Sequence, residues 1–320
     1  MNRFARFAAV LATALAWASP ALAQYPTHPI KWIVPYPPAG TTDVIARVMA
    51  QFMSDKLGQQ VIIENKPGGG NNIGVEYVVN AAPDGYTLLL VNPANGINTT
   101  LYKNLPFNFV KDIAPVAGIV RTPNVMEVTP SLPVKTVKEF IDYCKAHPGE
   151  VAYASAGPGS TNHLSAALME KMAGIRMLHV PYKGGAPAVL DTVGGRTQVL
   201  FTAGTQSLPH VKAGKLKLLA VTESHRSALL PDTPTVAETI PGYEMAVWYG
   251  AFGPPELPPE ITKRLNAEIN RIMMLPDVKG RMEAIGVEPV NETPGQFSKV
   301  LHADAEKWGK LVKELGIKAE

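Results

Sequence analysis

Cysteine is nearly missing from this chain: Cys144 is the only one in 320 residues. An internal disulfide is therefore excluded. Cys144 falls with Val137, Phe140 and Ile141 on one face of a helix expected over residues 134–147. It reads as a small buried hydrophobe, with no base nearby in sequence to make it a nucleophile. Basic runs and basic-aromatic interleaving are also missing, which excludes nucleic acid as a partner. The stretch Pro67-Gly68-Gly69-Gly70-Asn71-Asn72 lacks the Lys-Ser/Thr ending of a phosphate loop and the spacing of a dinucleotide fingerprint, so it reads as a tight turn before a helix. The seven histidines, His28, His147, His163, His179, His210, His225 and His302, include no i, i+4 pair, and neither a metal nor a cofactor is expected.

Past the N-terminus no run reaches the roughly 20 apolar residues of a transmembrane helix. The N-terminus itself reads as a secretory signal. Arg3 and Arg6 form a basic region, residues 8–17 an apolar one too short to span a bilayer comfortably, and Ala21-Leu22-Ala23 a small-residue cleavage site. Cleavage is expected after Ala23, and the missing cysteine beyond it argues against a lipid anchor. Removing Arg3 and Arg6 from the 30 basic residues leaves 28 against 27 acidic ones in a mature chain of 297 residues, 320 less the first 23. A chain of that length, soluble, exported and nearly neutral, suggests two domains. The bacterial periplasm is its natural address.

What the chain does have is one arrangement written twice. Ile30-Lys31-Trp32-Ile33-Val34 runs into Pro35-Tyr36-Pro37-Pro38-Ala39-Gly40-Thr41-Thr42-Asp43, after which Val44, Ile45, Val48, Met49 and Phe52 recur at helical spacing. Val151-Ala152-Tyr153-Ala154 runs into Ser155-Ala156-Gly157-Pro158-Gly159-Ser160-Thr161-Asn162-His163, followed by Leu164, Leu168 and Met172 on one stripe. A helix start carries unpaired N–H groups and the positive end of the macrodipole, so a loop that leads a ligand there suits an anion. Two such loops facing one another suit a dicarboxylate gripped at both ends.

Around these loops strand and helix alternate. Strands are expected at residues 61–64, 87–91, 177–180, 198–201 and 216–221, with helices near 73–80 and 207–213. This is the pattern of a parallel sheet covered by helices on both faces. The end of the chain differs: Pro258-Pro259-Glu260 opens a helix carrying Ile261, Leu265, Ile269 and Ile272, and a last helix carries Phe297, Val300, Leu301, Trp308, Leu311 and Leu315. Crossovers between two α/β lobes are expected near residues 121–125 and 243–252, where loop residues interrupt the alternation. That assigns 24–123 with 248–320 to lobe 1, to which the helical tail returns, and 124–247 to lobe 2. Ligands of open α/β sheets lie beyond the carboxyl ends of the strands, where both loops emerge. Trp32, Trp248 and Trp308 read as core or lobe-contact aromatics, with Trp248 also near enough to a crossover to line the cleft.

Several ordered strings resemble a known family. Val34-Pro35-Tyr36-Pro37-Pro38-Ala39-Gly40 with Asp43, Ala46 and Arg47, then Glu64-Asn65-Lys66-Pro67-Gly68 and Asp84-Gly85-Tyr86-Thr87-Leu88, are similar to the solute receptors of tripartite tricarboxylate transporters, the Bug proteins. So are Ala156-Gly157-Pro158-Gly159-Ser160 with His163-Leu164, His179-Val180-Pro181-Tyr182-Lys183-Gly184, and Pro234-Thr235-Val236-Ala237-Glu238 with Pro241-Gly242-Tyr243. The resemblance spans nearly the whole mature chain. It implies a type II periplasmic-binding-protein fold, a Venus flytrap of two α/β lobes with a helical C-terminal tail. It also implies a monomeric, non-catalytic receptor that closes on a small organic carboxylate and hands it to membrane permease subunits.

Such receptors hold the carboxylate through backbone groups, short hydroxyls and ordered water. By position, Tyr36, Pro38, Ala39, Gly40, Thr41 and Thr42 would form one jaw, and Ala156, Gly157, Gly159, Ser160, Thr161 and His163 the other. Thr202 and Ala203 would close the pocket from the strand at 198–201. Asp43 reads as a cap, because a carboxylate beside an anion repels it. Ala39 stands where the family commonly has the first glycine of Pro-Gly-Gly, and its methyl group restricts the loop. Thr202 stands where many members have Asp. Without that acid an ammonium group would lack a counter-charge, so a non-amino organic acid is the expected ligand. Two other readings remain open in the sequence: an exported hydrolase using Ser160 and His163, although no G-x-S-x-G elbow frames the serine, and a ligand-binding sensor protein.

Overall fold

The computed structural model describes residues 25–319, so the expected signal segment lies outside the described residues. The first parallel unit is β1 (Ile30–Val34), α1 (Thr41–Leu57), β2 (Val61–Asn65), α2 (Asn72–Val79), β3 (Thr87–Val91) and α3 (Pro93–Leu101). Every β1 residue except Lys31 is buried, as expected of a parallel strand covered on both faces. The second unit is α4 (Val137–Ala146), β5 (Ala152–Ser155), α5 (Thr161–Ala173), β6 (Leu178–Pro181), α6 (Gly185–Val193), β7 (Val199–Ala203), α7 (Gly204–Lys212) and β8 (Lys217–Val221). Between the units lies β4 (Ala114–Val128). After them come β9 (Ala246–Gly253), α8 (Pro259–Met273), α9 (Pro276–Ala284), β10 (Glu288–Pro289) and α10 (Pro294–Glu314).

The strands run in the order β2-β1-β3-β9-β4-β7-β5-β6, with β8 and β10 also on β4. The two outer trios, β2-β1-β3 and β7-β5-β6, are parallel, and every pairing that involves β4 or β9 is antiparallel. Strand β4 belongs to both halves. Ala114 to Pro123 pair with β9, while Asn124 to Val128 pair with β7. Thr222 ties the return crossing to it: its N–H donates to Asn124 O at 2.8 Å and its hydroxyl to Met245 O at 2.7 Å.

This differs from the expected interruptions at residues 121–125 and 243–252. The first lies within the unbroken β4 and the second is mostly β9. Polar residues and Pro123 suggested a loop, yet their polarity is satisfied inside the sheet. Thr122 Oγ1 donates to Gly286 O at 3.1 Å and Asn124 Nδ2 to Ser165 Oγ at 3.2 Å. Register shifts between Pro115 and Ala117 and between Gly118 and Val120 come before these residues, and Arg121, Thr122 and Pro123 then pair in step with Trp248, Val247 and Ala246.

Each half has its own core. Trp32, Met49, Leu90, Leu265 and Ile269 are buried together, so α8 of the tail packs on the first unit. Phe140, Cys144, Phe201 and Tyr243 are buried together in the second. Burial pushes the Cys144 thiol up to about 12, consistent with an inert core position. Phe252, Phe297 and Trp248 form a third cluster beneath α10, and the Trp248 indole donates to Asp304 at 2.7 Å. A seam of Ile97, Leu101, Leu164, Met245, Trp308 and Leu311 joins the halves.

Candidate functional site

The carboxyl ends of β1, β3, β5, β6 and β7 each lead into a helix start. The loop from β1 to α1 is held from inside by Asp43. Its carboxylate accepts from Ala39 N–H, from Arg47 Nε and Nη2, and from Asn65 Nδ2, each at 2.9 Å. Burial alone would raise this carboxyl, but the Arg47, Ala39 and Asn65 donors hold it below the usual carboxylate range. Asp43 is therefore occupied as a loop anchor. Ala39 has φ +66°, a left-handed conformation that costs an L-residue about 1–2 kcal/mol. Tyr36 turns inward, its hydroxyl 2.7 Å from Asn95 Oδ1 and 3.0 Å from Asn92 Oδ1. Pro38 and Ala39 are exposed at the loop tip, Gly40 is half-buried, and Thr41 and Thr42 are buried at the head of α1.

The loop from β5 to α5 is wound around Gly157. Ser160 Oγ donates to Gly157 O at 2.6 Å and accepts from His163 N–H at 3.3 Å, capping α5. Ser155 Oγ accepts from Gly157 N–H at 3.1 Å and lies 2.7 Å from His179 Nε2. Gly157 and Gly159 have φ +118° and +72°, open to glycine at little cost. Gly159 N–H donates to His163 Nδ1 at 3.0 Å, which fixes that imidazole as a neutral acceptor at Nδ1. His163 stacks on His179 with ring centres 4.1 Å apart, and burial followed by that neighbour lowers its pKa to about 4. His163 is thus placed behind the loop, supporting it. The Ser160 hydroxyl points its proton at a carbonyl and the His163 acceptor nitrogen is turned on Gly159, so the nucleophile-base pair of a hydrolase is not formed.

A third helix start meets the first directly. Thr41 Oγ1 lies 2.8 Å from Thr205 Oγ1 on α7, and Gln206 Nε2 donates to Thr41 Oγ1 at 3.4 Å. Thr202 lies within β7, paired with Val125 and almost fully buried, and Ala203 precedes the first turn of α7. Ala156, Gly157 and Thr161 are half-buried and Gly159 buried, and a β-carbon at Gly159 would overlap the Leu101 side chain of α3. Thr205, Gln206, Asn95 and Leu101 were not among the expected site residues. The signals for two of them were present: Asn92-Pro93 is a cap followed by a first-turn proline, and Gly204-Thr205 follows a strand as Gly40-Thr41 nearly does.

The first-turn N–H groups of a helix have no partner within that helix; the α1 and α7 starts meet through Thr41 and Thr205, whereas the α5 start is capped within its own loop by Ser160. Apart from Asp43, whose oxygens are taken, and the neutral imidazole of His163, the two loops carry no acidic or basic side chain. Such a site can hold an anion by dipoles and neutral donors. Among the described residues no group of three or more His, Cys, Asp or Glu is placed to hold a metal ion, and no helix is long and apolar enough to cross a membrane.

A family model described as the tripartite tricarboxylate transporter family receptor matches residues 45–317. The protein BugT of Bordetella pertussis is 36% identical over 297 residues, covering 92% of this chain and 91% of BugT. A structure of an R. palustris protein with adipate is 34% identical and superposes with a TM-score of 0.85, covering 92% of this chain and all (100%) of that one. MatC from Rhodopseudomonas palustris with bound malate is 29% identical, with a TM-score of 0.81 over 90% of this chain and 100% of MatC.

Proposed function

Because this chain belongs to the tripartite tricarboxylate transporter receptor family, we propose that it is a periplasmic, non-catalytic receptor that captures a small organic carboxylate between two lobes. It then delivers the solute to the permease subunits of a tripartite transporter. The observation that carries the reading is the meeting of the α1 and α7 helix starts through Thr41 and Thr205, 2.8 Å apart, across the sheet crossing. The relatives seen with adipate and malate support a dicarboxylate as the class of solute.

In this reading Ala39 to Thr42 and Gly157 to Thr161 are the jaws. His163, Asp43 and Thr202 shape them from behind, and Thr205 with Gln206 belongs to the closing edge. Lobe 1 comprises residues 24–123 and 248–320 and lobe 2 residues 124–247, with β4 and Thr222 as the hinge. The chain works as a monomer, exported by cleavage after Ala23.

A thermal-shift screen of carboxylic acids followed by calorimetry tests this. An aliphatic or aromatic acid without an amino group should bind at least about tenfold tighter than aspartate or glutamate, a difference of about 1.4 kcal/mol. Thr41→Ala should weaken the best ligand about ten- to a hundredfold through the lost hydroxyl contact to a charged group. Preference for an acidic amino acid would overturn the solute class. Silence across the whole library would overturn the receptor reading itself.

A further inference from the structure

Away from the jaws, a cavity of about 380 Å³ opens where β4, the β8–β9 connection and the segment after β10 meet. Its wall holds Glu223, Glu244, Glu288 and Glu292 against Arg121 and His225. Arg121 is engaged with Glu292 at 2.8 Å. Glu244 lies 3.6 Å from Lys307 Nζ and accepts from Ser224 Oγ at 3.1 Å. Among the described residues Glu288 accepts a neutral hydroxyl, Ser227 Oγ, at 2.6 Å. Glu223 is 5% exposed, and its Oε2 has no hydrogen-bond partner among the described residues. An orphaned buried carboxyl is costly unless it is neutral or paired with a cation.

We infer that this hinge cavity is a subsite for a small organic cation bearing a guanidinium group. The carboxyls come from separate segments around an open space, and no three of them close on a point where a metal ion could sit. A planar guanidinium carries several N–H donors in a fixed fork and so suits carboxyls such as Glu223 and Glu288 that come from different segments of the wall, whereas a compact ion acts as a point charge. Burial, then the Glu288 and Glu244 carboxylates, push Glu223 up to about 7 while Arg121 pulls it down. On the α10 side Asp304 and Lys307 flank Arg121 and Glu244. Near neutrality a proton therefore occupies the place the cation takes, and binding releases it from Glu223. Since Glu223 and Glu244 precede β9 while Glu288 and Glu292 follow α9, the occupant pins together segments on either side of the crossing strand.

The test uses the mature receptor without carboxylate ligand, at a pH near the Glu223 midpoint of about 7. Methylguanidinium chloride should raise Tm, whereas sodium chloride, magnesium chloride and tetramethylammonium chloride at equal ionic strength should not. Glu223→Gln and Glu288→Gln should each weaken the methylguanidinium affinity about tenfold. Calorimetry in two buffers of different ionisation enthalpy should show proton release in the native protein and none in Glu223→Gln. Protection by magnesium alone, protection no greater than sodium gives, or a full effect in a natively folded Glu288→Gln would overturn the inference. Carboxylate binding at the jaws is measured separately in the same variants and should be unchanged, so failure of either reading is distinguishable.

Discussion

Ala39 and His163 show how much of the geometry of the two strand-to-helix loops rests on single side chains. Ala39 holds a left-handed φ of +66° only because Asp43 takes its N–H at 2.9 Å and is itself fastened by Arg47. Ala39→Gly removes the β-carbon strain and adds back some unfolded-state freedom. It should stabilise the protein by a net of about 0.5–1 kcal/mol in urea unfolding, with the loop conformation kept. Loss of stability would mean the methyl group packs favourably. His163 makes a pH-dependent contribution of calculable sign. Its ordinary value of 6.5 falls to about 4 through burial and the adjacent His179. The unfolded chain therefore binds more protons between those limits, and stability present above 6.5 is lost as pH falls toward 4. The loss amounts to about 3 kcal/mol. Glu127, lifted by burial from 4.5 to about 8, acts oppositely: its contribution is complete below 4.5 and is lost as pH rises through 8. The readout is accordingly the difference between native protein and His163→Asn, whose amide oxygen can still accept from Gly159. The variant's stability should fall less on acidification across that window, and parallel curves would show that His163 does not carry the effect.

Among the elements, the helix starts matter most, and the seam between α3 and α5 is where a small change has the largest reach. Gly159→Ala would place a methyl group into Leu101 at a backbone φ of +72°. It should weaken carboxylate binding by more than about tenfold. Adding Leu101→Ala removes the overlap but not the strained φ, so calorimetry should find partial recovery. Full recovery would assign the whole effect to packing, and no recovery would assign it to the backbone. Both loops of this site were legible in the sequence because each joins an apolar strand to a helix start through Gly and hydroxyl residues. The parallel trio β2-β1-β3 was legible for the same reason, its apolar runs being separated by turn residues. Strand β4 was not. Its Thr122, Pro123 and Asn124 carry loop chemistry, and only tertiary partners such as Gly286 O and Ser165 Oγ make them strand residues. The sequence pattern starts α7 near Ser207, three residues late, because Gly204 and Thr205 resemble a turn. That hid the contact with Thr41. Pro93–Leu101 is a nine-residue helix rich in Asn and Thr, whose helical pattern is too weak to stand out against the flanking loops.

At the scale of the whole molecule, closure has to be reconciled with how little polar contact joins the jaws. The hydroxyl pair Thr41–Thr205 is worth about 1 kcal/mol net in water. The Lys171–Glu314 ion pair at the seam is solvent-exposed on both sides, which screens it. The apolar seam of Leu101, Leu164 and Trp308 lies on the α10 side, and β4 with Thr222 keeps the crossing intact whatever the lobe angle. In the two-lobe reading proposed above, terms of this size would leave a ligand touching both jaws able to decide between open and closed arrangements. In the proposed reading a carboxylate bound by α1 and α5 together would supply that differential affinity, because opening would strip one set of donors from it. Small-angle scattering should therefore show the radius of gyration falling on saturation with the best carboxylate. Thr205→Ala should reduce affinity chiefly by raising the dissociation rate, since it weakens the closed state after encounter. A radius unchanged at saturation, with Thr205→Ala dissociating at the native rate, would mean that the lobes are closed before the solute arrives. In that case the hinge at Asn124 and Thr222 would serve entry rather than capture.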